Sequence, residues 1–170
     1  STKFRRRLRS LGLSYAVGVQ STTKVWQLDS LERRKGQRSL SIASLANEIA
    51  ATGGFRRTTW REGTKKALSS RFAVRRVLPI ADEGITRAER EAVTLLMEWE
   101  DGEPQPNKFH FISDAKHLSQ IQLVRHVKQR WRTERAYEDL KGQLGLDHFE
   151  GRRYPGWHHH MSVVLVCFAF

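Results

Sequence analysis

The sequence predicts an α/β chain with helices towards its two ends and a β-rich middle, on three observations. Apolar residues recur at three and four positions near 1–12, 42–50 and 119–145. Strand-like runs rich in β-branched and aromatic residues follow one another between 55 and 113. With 39% hydrophobic and 28% charged residues, the composition is that of a folded globular protein. A length of 170 residues suits one domain, or one domain carrying an insertion, able to bury roughly 70% of its unfolded surface. Five Trp and eight Phe supply a packed core and exclude collagenous, mucin-like and disordered classes.

In chain order, STKFRRRLRSLG reads as a basic helix with Phe4, Leu8 and Leu11 on one side, stopped near Gly12. Leu13 to Val19 carries almost no charge and suits a strand buried on both faces of a mixed sheet. A short strand around Val25 to Leu28 precedes the polar linker SLERRKGQRS. Ile42, Leu45, Ile49 and Ala50 then mark a helix that Gly53-Gly54 ends. FRRTTWRE, ALSSRFAVRRVLPI, AVTLLMEWE and KFHFIS are four further strands, the last after the turn DGEPQPN. ITRAEREA between two of them is either a helical turn or an acidic loop.

The longest helix begins near Ser119. Ser119 and Gln122 have capping-box spacing, Leu118 and Leu123 are placed for a hydrophobic staple, and Ile121, Val124, Val127, Trp131 and Leu144 give it a buried side. Gly142 or Gly145 ends it, and a final helix starts after Pro155-Gly156. The chain opens on Ser1 with no apolar leader and closes in MSVVLVCFAF, ten residues that are too short to span a bilayer. Both ends read as cut, and the closing run reads as buried, with Cys167 inert in the core. One cysteine excludes an intramolecular disulfide and fits a reducing cytoplasm.

Charge is unevenly spread. Residues 1–80 carry 18 Lys+Arg against 4 Asp+Glu, 81–105 carry 2 against 8, and 106–170 carry 10 against 6, for a net +12. A polyanionic partner is favoured, because each phosphate met by Lys or Arg releases condensed counterions. A basic surface that only keeps the protein in solution is the alternative that motifs must decide.

Arg130, Glu134, Tyr137 and Lys141 fall at offsets 0, 4, 7 and 11 of the long helix. At about 100° per residue they form one narrow stripe. A carboxylate flanked by cations suits a place where a hard divalent ion meets phosphodiester oxygens. The competing account is a ladder of surface ion pairs four residues apart.

The run RWRTERAYEDLKGQLGLDHFEGR (Arg130 to Arg152) with GWHHH (Gly156 to His160) resembles the carboxy-terminal signature of bacterial insertion-sequence DDE transposases, Tyr-x2-Arg-x3-Glu-x6-Lys. Arg130, Glu134 and Lys141 match its last three positions, and Val127 stands where the signature has Tyr. Phe4 to Val19, Thr59 to Ala73 and Leu95 to Glu100 are similar to further segments of one transposase branch, in the same order. The resemblance implies an α/β fold containing part of a ribonuclease-H-like core, residues 1–20 and 107–170, interrupted by a β-rich insertion, 21–106. It implies transposon-end cleavage and joining by two Mg²⁺ held by two Asp and one Glu, with Glu134 as the Glu and metal ligand. It also implies double-stranded DNA, as transposon ends and target, for a partner, a synaptic homodimer, and a bacterial, nucleoid-associated protein with no membrane association.

In that family the second Asp ends a strand just before a helix like Ser1 to Gly12, so both Asp are expected ahead of Ser1. Asp29, Asp82, Asp101, Asp114, Asp139 and Asp147 do not occupy the required order. The chain is therefore expected to be the carboxy-terminal part of a transposase, not to hold Mg²⁺ stably and not to cleave DNA alone. A non-catalytic DNA-binding module derived from a transposase is the second reading. An RNA-binding protein fits the charge but has no aromatic sheet motif to recommend it.

Arg130, Lys141, Arg61, Lys65 and Arg132 are the expected DNA contacts. Trp60 beside Arg61, Lys65 and Lys66 either stacks on a base or anchors the core. Arg5, Arg6, Arg7 and Arg9 suit backbone phosphates more than base edges. His158, His159 and His160 point about 100° apart on a helix, so at most two share an ion, and a structural or phosphate-facing role is favoured. His148 and Glu150 lie in a turn that either caps the long helix or approaches the active-site end.

Overall fold

The computed structural model describes residues 2–28, 38–61, 67–80 and 90–169, apart from the side chains of Arg130 and Trp131. They divide into two compact units, Ser1–Val127 and Lys128–Phe170.

The first unit opens with helix α1, Thr2–Ser10. Gly12, at φ 70°, stops it: the Gly12 N–H donates to Arg9 O at 2.8 Å and the Leu13 N–H to Leu8 O at 3.0 Å, satisfying carbonyls the helix leaves open. Strands β1 (Ala16–Gly18), β2 (Lys24–Gln27) and β3 (Leu40–Ser41) follow, then helix α2 (Ile42–Ala51). Ser41 caps α2, its Oγ accepting the Ser44 N–H at 3.0 Å, and Gly53, at φ 68°, ends it by the same device as Gly12. Strands β4 (Arg56–Arg61), β5 (Leu68–Pro79), β6 (Val93–Trp99) and β7 (Lys108–Ile112) complete the sheet, and helix α3 (Gln120–Lys128) follows.

The strand order is β1-β7-β6-β5-β2-β3, with β4 also paired to β5 and every pairing antiparallel. Alternation along β5, β6 and β7 sorts their side chains onto two faces. Ala73, Val77, Leu95, Met97, Phe109 and Phe111 pack with Ile42, Leu45 and Ile49 of α2. Phe72, Leu96 and Ile112 pack with Leu123 and Val124 of α3 on the other. Burial on both faces explains why β6, VTLLMEW, shows no apolar–polar alternation, with every residue from Val93 to Glu98 buried. The turn between β6 and β7 is closed by Asn107 and Lys108 on Glu100 and by Trp99 Nε1 on Glu103 O.

The second unit contains helices α4 (Arg130–Gly142) and α5 (Tyr154–Ala169), with Leu140 and Val164 buried.

Most helix and strand positions agree with the sequence reading, and the architecture is mixed α/β; β3 is not among the expected strands, and α5 starts at Tyr154, ahead of Pro155-Gly156 rather than after it. Several local expectations are overturned. Among the described residues the sheet is antiparallel rather than mixed, and β1 lies at its edge with Ala16 and Gly18 exposed, because β7 is the one described strand that flanks it. Phe4 (55% exposed) and Leu11 (54%) do not join Leu8 on a buried side of α1. Leu8 packs inward alone, while Arg5 lies over the Phe111 ring and Arg9 pairs with Glu91. The long helix is two helices separated at Gln129. In α2 the buried face takes Ala46 rather than Ala50. Among the described residues of the closing apolar run only Val164 is buried, and Cys167 is exposed. The polar linker and the first part of ITRAEREA fall largely outside the described residues.

Candidate nucleic-acid interface and carboxylate position

Thirteen residues of regular helix place Glu134, Tyr137 and Lys141 along one side of α4, with the backbone of Arg130 in line with them. Glu134, Tyr137 and Lys141 are all exposed. The buried Leu140 lies about 100° from their mean direction, so the stripe flanks the packed side of α4. Arg132 lies about 160° from Glu134 and is exposed on the other side of the helix. Arg135 pairs with Asp139 at 3.4 Å and with Glu138 at 3.9 Å, so the ion-pair ladder that competes with a functional reading runs on a neighbouring face. Val127, at the signature's Tyr position, packs against the core beside Leu123 and Val124.

The turn after α4 is tied down through backbone. Leu146 N–H donates to Leu140 O and His148 N–H to Gly145 O, with Gly145 at φ 67°. His160 Nε2 lies 2.9 Å from Gly145 O, and its ring centroid lies 5.6 Å from that of Phe149. His158 makes edge contacts with Tyr154 and Trp157, while His159 is exposed. The three histidines therefore do separate things. Among the described residues no three His, Cys, Asp or Glu side chains converge as a metal site. Glu134 is a suitable hard oxygen donor, but one carboxylate does not make a two-ion centre. His148 lies 3.8 Å from Asp147, and both it and Glu150 are exposed.

The described aspartates of the sheet unit are engaged in structure. Asp101 takes a bidentate pair from Arg57, at 2.7 and 3.0 Å, and this hydrogen bond and charge hold the Arg57 guanidinium above its ordinary pKa. Asp114, at φ 48°, lies 3.6 Å from Arg9 and accepts Ser14 Oγ at 3.5 Å. Lys108 is likewise raised, first by its hydrogen bond to Glu100 at 2.6 Å.

Trp60 stands where β4 and β5 slip register between Thr59 and Arg61. The bulge turns its ring onto Phe72, edge to face, with centroids 5.7 Å apart. Trp60 is thus a half-buried core anchor, and Arg61 beside it is exposed. Lys65 and Lys66 lie outside the described residues. On α1, Lys3, Arg6 and Arg7 are exposed, whereas Arg5 and Arg9 are engaged with the sheet.

Two features escaped the sequence. A cleft of about 530 Å³ is lined by Val74, Arg76, Thr94, Lys116, Leu118 and Leu123 among others. Arg76 Nη1 donates to Thr94 Oγ1 at 3.3 Å there, and burial pushes its guanidinium down, with Asp114 opposing. Only strand pairing brings β5, β6 and the β7–α3 connection together, so no local signal announces this cleft. The second is the exposed ring cluster Tyr154, Trp157 and His158, legible in principle as aromatics at offsets 0, 3 and 4 beside two arginines.

A protein-family model described as a transposase DDE domain matches residues 1–170. No curated protein and no solved structure matches the chain.

Proposed function

The chain belongs to the transposase DDE domain family, and from that premise we propose that it serves DNA transposition by holding transposon-end DNA and contributing one carboxylate to cleavage and joining. Domains of this family generally use divalent metal ions, which when bound supply activation of the attacking oxygen and stabilisation of the leaving one. The observation that carries the reading is the exposed α4 stripe. Glu134 lies in line with Lys141, on the helix that also holds Arg130, at the spacings of the transposase signature.

In this reading Arg130 and Lys141 hold phosphates on either side of the carboxylate, and Glu134 is the Mg²⁺ ligand this chain provides. Arg132 reaches DNA from another side of α4, and Arg61, with Lys65, extends the basic surface in the sheet unit. Residues 1–20 and 107–170 are the ribonuclease-H-like core pieces and 21–106 the insertion. The partner is double-stranded DNA, with a synaptic homodimer as the working assembly, in the bacterial cytoplasm and at the nucleoid. No helix among the described residues is long and apolar enough to cross a membrane.

Glu134→Gln in the complete transposase is expected to abolish Mg²⁺-dependent strand cleavage while duplex binding stays within about twofold. Cleavage that survives the change removes Glu134 from the metal site. The alternative, a DNA-binding module without chemistry, draws on the basic composition, a net charge of +12. It predicts salt-dependent duplex binding with no Mg²⁺-dependent nicking even when the complete protein is used.

A further inference from the structure

Residues 151–170 contain two arginines and three histidines and no carboxylate. At the start of this stretch Tyr154 is 70% exposed and Trp157 41% exposed. One helical turn sets their rings nearly parallel, 15° apart in plane, with centroids 5.9 Å apart. His158 braces both, edge-on to Tyr154 at 4.4 Å and to Trp157 at 5.2 Å. Arg152 and Arg153, immediately before, are exposed, and among the described residues neither forms an ion pair. The segment is anchored from below, since His160 meets Gly145 O and Phe149 in the turn after α4.

Large exposed aromatic rings held parallel by a helix lose little freedom when a flat ligand stacks on them, and adjacent guanidiniums suit a phosphate chain. Bases inside a duplex stack on each other and offer no free face, whereas an unpaired strand offers both bases and phosphates. We propose that Tyr154 and Trp157, braced by His158 and flanked by Arg152 and Arg153, form a stacking site for unpaired DNA bases, separate from the α4 stripe. The site rests on the reading of the chain as a DNA-handling protein and adds that single-stranded DNA is held by stacking. The missing carboxylates favour a polyanion over an acidic-and-basic protein surface.

The test is fluorescence anisotropy with the full chain, a labelled oligo(dT) strand, a blunt duplex of the same length and an RNA strand, across a salt series. Tyr154→Ala and Trp157→Ala are each expected to weaken oligo(dT) binding by roughly 5- to 150-fold while changing duplex binding by less than about twofold. Tyr154→Phe and Trp157→Phe keep a ring and are expected to retain most of the affinity. Replacing Arg152 and Arg153 together by Ala lowers the log–log salt slope on oligo(dT) by about 1.4. Circular dichroism of each variant establishes that α5 persists. Duplex binding by the parent chain with oligo(dT) affinity unmoved by either Ala variant overturns the stacking site alone. Failure of the parent chain to bind either DNA overturns the DNA reading and this site together. A larger ring-dependent affinity for RNA overturns the assignment to DNA.

Discussion

Removing the Trp60–Phe72 ring pair is the sharpest test of whether the β4 bulge serves the core or the nucleic acid. Phe72 is 1% exposed between Trp60, Leu96 and α3, and Trp60 closes the edge of that cluster. Phe72→Ala removes a fully buried ring and is expected to cost about 3–5 kcal/mol. For a chain of this size each kcal/mol lowers Tm by about 2–4 °C, so the midpoint falls by at least about 6 °C. A double-mutant cycle with Trp60→Leu and Phe72→Leu keeps both positions apolar and isolates the ring pair, because the volume lost in each single change cancels in the cycle, and a coupling of about 0.5–1.5 kcal/mol is expected. Urea unfolding followed by circular dichroism supplies the four stabilities, and duplex affinity is measured on the same proteins. A coupling near zero, or a Trp60→Leu protein of unchanged stability that loses DNA affinity, refutes the anchoring role and returns Trp60 to the interface.

Lys141→Ala should weaken duplex binding and flatten its log–log salt dependence by about 0.9, the slope carried by one neutralised phosphate, read by anisotropy; an unchanged slope removes Lys141 from the groups that meet the DNA backbone. Gly54→Ala should destabilise by about 1–3 kcal/mol in urea unfolding, because a Cβ there meets Ile49 Cγ2 at 2.6 Å and Ile49 is buried. Ser41→Ala should cost about 0.5–2 kcal/mol by removing the acceptor for the Ser44 N–H, with Ser41→Asp restoring most of it. Glu100 raises the pKa of Lys108, so the pair's stabilisation is complete below the ordinary lysine pKa and fades as pH rises through the higher folded value. Both side chains are at least a third exposed, so the contribution is a few tenths of a kcal/mol, and Glu100→Gln should remove it only below that alkaline range.

How far the sequence could be read depended on whether the deciding contact was local. The stop at Gly12, the cap at Ser41 and the alternation of β5 and β7 are set by neighbours in the chain, and the expected elements formed there. Ser119 and Gln122 show the same, the Ser119 N–H donating to Gln122 Oε1 at 2.8 Å. Non-local choices were hidden. The spacing of Phe4, Leu8 and Leu11 is equally consistent with several helix rotations. The one adopted is fixed by Arg9 meeting Glu91 and Arg5 meeting Phe111, residues roughly a hundred positions away. The break at Gln129 has no Gly or Pro to announce it, since Gln129 itself stays in the right-handed region at φ −73° and ψ −8°. For the candidate site, the spacing on α4 was legible because it is a property of one helix. Whether those groups work on DNA is a property of chemistry between chains, which periodicity does not encode.

Twelve residues long, β5 carries β6 along one margin, but its other margin is shared: β4 occupies Leu68 to Phe72 and β2 takes over from Val77. Between these neighbours the Val74 carbonyl accepts a hydrogen bond from Nη1 of the adjacent Arg75 at 2.8 Å. The sheet is therefore forked, with a spine and two tines. β4 and β2 share no ladder, so strand pairing carries a disturbance from one tine to the other only through β5, while the four residues between α2 and β4 offer a second route along the chain.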